Sequence, residues 1–153
     1  MIQQPLDTDV SERSWLIGDS VSQGYPIHLR RPNIMVSEYG SLAEHYPVLI
    51  IGTLQLADVK DNGLPESGYN ESLAALDFAI TDHFRSSKNG VVGLVETFAA
   101  KRTFYLYVTG DFDLGSFTDL LSTAFPDSLV TWEQERDLNW RLLRGYASEF
   151  QFA

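Results

Sequence analysis

Residues 103–109 read Thr-Phe-Tyr-Leu-Tyr-Val-Thr and form the clearest β-strand pattern in the sequence. Successive side chains of a strand point to opposite faces, so one face of this segment is purely apolar and consists of Phe104, Leu106 and Val108. The other face carries Tyr105 and Tyr107 between two threonines. The pattern predicts a strand that packs on a core with its first face. Its second face presents phenol groups that suit an interaction surface.

The segments around this strand predict three further strands. Residues 91–98 form a strand, and the next strand is predicted to run from residue 102 to 109, so only three residues connect them, which predicts a hairpin of the two strands. The connecting residues at 99–101 lack the Gly or Asn that such turns favour. Residues 47–56 are apolar on both faces, which is typical of an interior strand, and a last strand is predicted at residues 129–133.

Two helices are predicted between these strands. Asn70 is the expected N-cap of the first helix, because apolar residues then recur at three- and four-residue spacing. Its predicted buried stripe consists of Leu73, Leu76, Ile80 and Phe84. The second helix is predicted to begin at Ser116, in a sequence that resembles a capping box with Asp119 in place of Glu.

The resulting order from residue 47 to 134 is β-α-β-β-α-β, which predicts an α+β fold, a ferredoxin-like βαββαβ sandwich. Its right-handed crossovers place both helices on one face of an antiparallel sheet. Segments at residues 15–17 and 25–30 predict an N-terminal β-hairpin extension, and residues 137–147 predict a closing C-terminal helix. The second sheet face is left for solvent, for these added elements, or for a partner.

Composition narrows the class of protein. The chain has 153 residues, 44% of them hydrophobic, and residues 13–153 are expected to form a single domain after a flexible acidic lead-in at residues 1–12. The net charge of −10 argues against binding to nucleic acid, and it suits solubility or a basic protein partner. The absence of cysteine excludes disulfides, thiolate metal sites and thiol catalysis. Without a long apolar run or a signal-peptide pattern, a cytoplasmic protein that does not bind membranes is expected.

The order of several short motifs resembles a bacterial domain family of unknown function. The motifs are Trp15, Gly24-x-Pro26, Arg30-Arg31, Tyr46-Pro47, Gly63-Leu64-Pro65, Val92-Gly93 with Thr97, Arg102-x-Phe104-Tyr105-x-Tyr107-Val108 and Glu135-x-Asp137-x-x-Trp140. That family is similar in fold to the regulator of ribonuclease E activity B, a small acidic protein that inhibits a ribonuclease by binding it. The resemblance therefore implies a ferredoxin-like fold and, by analogy of fold alone, a regulatory binding role.

The first functional hypothesis is a non-enzymatic protein-binding domain that acts as a small cytosolic regulator, adaptor or immunity-type inhibitor. It would hold a protein partner on the open sheet face through aromatic anchors, which are Tyr105, Tyr107, Trp132 and Trp140. An acidic edge of Glu133, Glu135 and Asp137 would speed the encounter with a basic partner, or would only protect an edge strand. Core packing of the aromatic residues and a homodimer through the sheet are the alternatives.

The second hypothesis is a small-ligand-binding protein or enzyme with a cleft between the hairpin and the sheet. Its candidate groups are Arg30, Arg102 and Asp137. A deep pocket with converging polar groups would favour this hypothesis, whereas a flat and filled sheet would favour the first. For Arg102, an ion pair with Glu96 or Asp137 is the preferred interpretation, because no glycine-rich phosphate loop accompanies it.

Catalytic and metal-binding motifs are weak throughout the sequence. The three histidines, His28, His45 and His83, lack a second ligand at metal-binding spacing. Asp111 and Asp113 could hold a divalent cation, but a turn with a helix N-cap explains them better. No cofactor, metal or catalytic residue is therefore expected, and binding is favoured over catalysis.

Overall fold

The structure is a computed structural model that describes residues 15–137 and 139–149, so the lead-in expected at residues 1–12 lies outside it. Within the described residues the fold is mixed α/β, with six strands and four helices. The strands are β1 (Trp15–Ser22), β2 (Tyr25–Pro32), β3 (Val48–Gln55), β4 (Gly90–Phe98), β5 (Lys101–Val108) and β6 (Val130–Arg136). The helices are α1 (Tyr39–His45), preceded by a 3-10 turn at Val36–Glu38, α2 (Ser67–Ser87), α3 (Leu114–Ala124) and α4 (Arg141–Glu149). Among the described helices, none combines the length and the apolar character needed to cross a membrane.

The six strands form one sheet in the order β1-β2-β4-β5-β3-β6, and all neighbouring strands are antiparallel. The predicted N-terminal hairpin is confirmed, since β1 and β2 pair along their whole length. β2 also pairs with β4 over residues His28, Leu29 and Arg30. The hairpin therefore extends the sheet at one edge instead of covering one of its faces.

One face of the sheet lies under α2 and α3, as predicted for the apolar face of β5. Phe104, Leu106 and Val108 are buried there. The helical side chains packed in the same cluster are Leu73, Leu76, Ile80 and Phe84 of α2 with Phe117 and Leu121 of α3. Burial of each large apolar side chain contributes about 1.5–3 kcal/mol, so this cluster stabilises the position of both helices on the sheet.

The opposite face, which carries Tyr105 and Tyr107, is also covered, so it is not the open surface that the protein-binding hypothesis requires. Tyr107 has no exposed surface, and Tyr105 keeps only 9%. The covering side chains come from α1 and from the region around the start of α4, and they are Tyr39, Leu42, Ala43, Tyr46, Trp140 and Leu143. Because aromatic and apolar surface is removed from water here as well, this face is a second core and not a free binding surface.

Helix α1 is the element that the sequence interpretation missed. It is only seven residues long, and Gly40 and Ser41 lower its helix propensity. Nevertheless Tyr39, Leu42 and Ala43 are buried, and Tyr46 just after the helix is buried with them. This spacing of three and four residues is the periodic signal by which the helix could have been found.

The predicted hairpin of β4 and β5 is confirmed, with an unusual turn. Ala99 and Ala100 both have left-handed backbone conformations, with φ of 52° and 65°. Two-residue hairpin turns favour this conformation, but each alanine that adopts it costs roughly 1–2 kcal/mol. The N–H of Ala100 donates to the Gly63 carbonyl at 3.0 Å, and the Leu56 N–H donates to the Ala100 carbonyl at 2.8 Å. The segment between β3 and α2 therefore holds the turn.

Both predicted helix starts differ from the structure. Helix α2 begins at Ser67, so Asn70 lies in its first turn and is not the N-cap. Helix α3 begins at Leu114, and its N-cap is Asp113, whose carboxylate accepts from the Ser116 N–H at 3.1 Å. Hydrogen bonds from the Ser116 hydroxyl and N–H lower the pKa of Asp113. The N-cap interpretation of Asp113 is thus confirmed, and the capping box at Ser116 is wrong.

Candidate functional site

A cleft of about 290 Å³ lies between the N-terminal hairpin and the start of α2. Its walls are the β1–β2 hairpin, the connection at residues 57–66, the first turn of α2, and strands β4 and β5. The polar residues that line it are Asp19, His28, Lys60, Ser67, Asn70, Thr97 and Arg102, and the apolar ones are Pro26, Ile27, Leu64 and Pro65. Concave sites with a few converging polar groups are the usual form of small-molecule sites, so this cleft is the candidate site.

Arg102 is the most buried charged residue of the cleft, with 7% of its surface exposed. Its Nε donates to Thr97 Oγ1 at 3.1 Å, its Nη1 to Asp77 Oδ2 at 3.0 Å, and its Nη2 to Asn70 Oδ1 at 2.9 Å. Burial lowers the pKa of Arg102, while the Asp77 carboxylate opposes that shift. Partners on β4 and α2 thus hold the guanidinium in one orientation. The expected ion pair with Glu96 or Asp137 is replaced by one with Asp77.

Asp77 joins the two arginines of the second hypothesis. Nη2 of Arg30 and Nη1 of Arg102 both lie 3.0 Å from Oδ2 of Asp77. Oδ1 of Asp77 is buried and has no hydrogen-bond partner in the described part of the chain. The guanidinium of Arg30 also lies over the Trp15 ring, 5.2 Å from its centroid, which is a favourable cation–π contact. Two cations therefore share a single carboxylate oxygen next to the cleft.

The outer part of the cleft carries more exposed charges. Nδ1 of His28 lies 2.8 Å from Oδ1 of Asp19, a contact between the two strands of the hairpin. Both side chains are well exposed, at 41% and 76%. Lys60 is exposed on the connection at residues 57–66. These residues surround the opening, whereas Arg102 lies deeper.

Asp137 was expected to act with the arginines, but it lies on the other side of the sheet. Its carboxylate accepts from the Tyr107 hydroxyl at 2.9 Å and from the backbone N–H groups of Arg141 and Leu142 at 2.8 and 3.1 Å. Burial and the Asp137 carboxylate raise the pKa of Tyr107. Trp140 stacks on Tyr107 with ring centroids 4.3 Å apart. Asp137 therefore ties the start of α4 to β5.

The four aromatic residues of the first hypothesis do not form one surface. Tyr105, Tyr107 and Trp140 belong to the second core. Trp132 packs on the opposite face, against Phe117 of α3, with ring centroids 5.3 Å apart. The structure thus separates Trp132 from the other three by the thickness of the sheet.

Asn70, Asp77 and Lys60 are among the groups at the cleft that sequence reasoning did not assign to a site. Asn70 and Asp77 lie seven residues apart, which is about two helical turns, so they share one edge of the buried stripe of α2. An acidic residue next to the buried stripe of a helix is a recognisable sequence signal for an ion pair, because a partly buried carboxylate needs a cationic or hydrogen-bonding partner. Lys60 lies in a turn-rich segment where nothing in the sequence distinguishes it. In the described residues, no group of three or more histidine and acidic side chains could hold a metal ion.

Comparison with known proteins places the chain in a family. The model described as "Family of unknown function (DUF695)" matches residues 32–146, which is more than half of the chain. The matched range runs from the end of β2 into α4, so it includes Asp77 and Arg102 but not Arg30. No curated protein and no solved structure matches the chain. Likeness to the regulator of ribonuclease E activity B stays a prediction. The chain belongs to the Family of unknown function (DUF695).

Proposed function

We propose that this domain binds a small polar molecule in the cleft between the hairpin and α2, with Arg102 as the principal binding group. The observation that carries this proposal is the position of Arg102, a cationic side chain that lines a cleft while only 7% of its surface is exposed. Burying a charge costs free energy, and buried charged side chains that line a cleft are concentrated at functional sites. The small-ligand-binding hypothesis from the sequence is therefore preferred to the protein-binding hypothesis. Asp137 is not part of the proposed site.

Preorganisation supports binding at this place. Thr97 and Asn70 hold two of the guanidinium nitrogens, and Asp77 holds the third. A side chain that is already ordered loses little entropy when a ligand binds, so more of the interaction energy appears as affinity. Lys60 and His28 at the opening can contact the part of the ligand that faces solvent.

The test is a thermal-shift screen of small polar metabolites against the wild type and Arg102→Lys. A ligand at a hundredfold excess over Kd stabilises the folded state by about 2.7 kcal/mol, or roughly 5–10 °C for a chain of this size. Lysine keeps the charge but loses the planar donor fork, so Arg102→Lys should lose most of the shift. Arg136→Lys, an exposed site on β6, is the matched control and should keep it. Hits that stabilise all three proteins equally would contradict the proposal.

We further propose that β3 to β6 with α2 and α3 form a ferredoxin-like unit within a single domain. Two observations support this. The strands are ordered β4-β5-β3-β6, and both helices pack on the same face. The hairpin then extends the sheet at one edge, while α1 and α4 belong to the opposite face. The analogy with the regulator of ribonuclease E activity B extends to fold alone.

A cytoplasmic regulator that binds a basic protein is the second candidate function, with the outer edge of β6 as its site. Glu133, Gln134 and Glu135 are exposed on this strand, which is last in the sheet order. Acidic side chains on an edge strand discourage aggregation, and they also steer a basic partner. The double variant Glu133→Lys with Glu135→Lys should abolish association with a basic partner and leave ligand binding in the cleft unchanged. Association that survives the charge reversal would exclude this edge as the site.

A further inference from the structure

We infer that the ligand of the cleft carries a carboxylate or phosphate group, which Arg102, Asn70 and Lys60 bind together. The inference rests on the proposed function and names the chemical class of its ligand. Three properties of the cleft support it: the balance of charge, the hydrogen-bond donors that are left over, and the volume.

The charges at the cleft have a positive excess. Arg30 and Arg102 share one oxygen of Asp77, so two cations meet one anion beside the cleft floor. Of the residues that line the cleft, Arg102 and Lys60 are positive and Asp19 is negative. With histidine counted as neutral, this lining has an excess of +1 on a chain whose net charge is −10. A local potential opposite in sign to that of the whole molecule favours an anion at this place.

Hydrogen-bond donors are also in excess. Arginine has five N–H donors, and three of those of Arg102 are engaged with Thr97, Asp77 and Asn70. Because Asn70 directs its Oδ1 to Arg102, its amide NH2 contributes two more donors. Among the residues that the structure describes, these remaining donors have no partner. A ligand that supplies several acceptor oxygens would satisfy them, and charge-assisted bonds of this type are roughly twice as strong as neutral ones.

Burial and size restrict the ligand further. The side chain of Arg102 is only 8% exposed, so an ion pair formed there is weakly screened by water and salt. The cleft volume of about 290 Å³ lies at the lower end of the range of small-molecule pockets, roughly 300–1,000 Å³. A small carboxylic acid or a phosphomonoester fits that space.

The inference is tested by NMR titration of 15N-labelled full-length protein at constant ionic strength. The probes are inorganic phosphate and succinate, with glucose as an uncharged comparison and methylammonium as a cationic one. We expect saturable shifts of the backbone amides of Asn70, Thr97 and Arg102 with at least one anion, and the stronger anion identifies phosphate or carboxylate as the preferred group. Glucose and methylammonium should leave these amides in place.

Variants separate the site from general charge effects. Lys60 is exposed, so Lys60→Gln should fold normally and weaken anion binding about threefold. Arg102→Lys should weaken it about tenfold, because the planar fork is lost. Lys88→Gln, at the opposite end of α2, is the matched control and should bind like the wild type.

Two outcomes overturn the inference. The first is that neither anion shifts the cleft amides. The second is that anion shifts persist unchanged in both Lys60→Gln and Arg102→Lys. If an uncharged or cationic compound binds the cleft instead, the anion class is wrong while the proposed function stands. The proposed function itself fails only by the thermal-shift criterion, which does not depend on the charge of the ligand.

Discussion

Asp77→Asn removes the negative charge that two arginines share, and it keeps the size of the side chain. Oδ2 of Asp77 lies 3.0 Å from each guanidinium, and the exposed fractions are 16% for Asp77, 8% for Arg102 and 29% for Arg30. Removing one partner of a fully buried pair costs about 3–5 kcal/mol, and of an exposed pair about 0–1 kcal/mol. Because the burial is intermediate and the amide oxygen can still accept a hydrogen bond, we expect the free energy of unfolding to fall by about 2–3 kcal/mol.

Urea unfolding followed by circular dichroism measures this loss. The midpoint should fall while the slope m stays unchanged, and Tm should fall by roughly 5–10 °C. The matched control is Asp82→Asn on the same helix, where Asp82 lies 3.9 Å from Arg85 and both side chains are more than 40% exposed. That variant should change the free energy of unfolding by no more than about 0.5 kcal/mol. Equally small effects of the two variants would refute the reasoning.

Three further predictions concern the turn, the second core and pH. Ala99→Asn with Ala100→Gly suits the left-handed turn and should raise the free energy of unfolding by about 1 kcal/mol in urea, whereas a decrease would show that the alanines are not strained. Tyr107→Phe leaves the buried Asp137 carboxylate without its phenol donor and should cost about 1–3 kcal/mol in the same assay; no measurable loss would contradict the tie between β5 and α4. Burial lowers the pKa of His83 below its ordinary value of 6.5, so the unfolded state binds this proton more readily. Stability should therefore decline as pH falls below about 6.5, and His83→Phe should remove that part of the pH profile; identical profiles would contradict it.

Much of the fold could be predicted because it is encoded by local periodicity. Alternation along residues 103–109 correctly assigns Phe104 to the helix-covered face and Tyr107 to the opposite one. The second face is covered by α1, which precedes β3 in the sequence, and by Trp140, which follows β6. Both segments are distant from β5 in the sequence. A pattern within one strand carries no information about such coverage, so the open face could not be distinguished from a second core.

The candidate site was predictable only in part. The sequence hypothesis placed Arg102 in a cleft between hairpin and sheet, whereas the structure has a cleft between the hairpin and the start of α2, with Arg102 in its lining. Asp137 was placed there wrongly, because a charged residue near a strand end can point to either side of the sheet. Arg102 and Phe104 are two residues apart on β5, so both side chains lie on the face beneath α2. The partners available to Arg102 on that helix are Asn70 and Asp77. The partner could have been found by combining the strand alternation with the helix pattern, and neither feature alone is sufficient.

The claim that Arg102 binds an anionic ligand in the cleft is tested most directly by its own side-chain Nε–H resonance. This group is buried and donates to Thr97 at 3.1 Å, so it should exchange slowly with water and be observable by NMR. The indole Nε1–H of Trp140, which is buried and donates to the Tyr46 carbonyl at 2.8 Å, provides an internal reference on the opposite face of the sheet. Titration with phosphate and succinate is predicted to shift the Arg102 resonance saturably and to leave that of Trp140 in place. An Arg102 resonance that stays fixed, or that moves no more than the Trp140 resonance, would contradict the account.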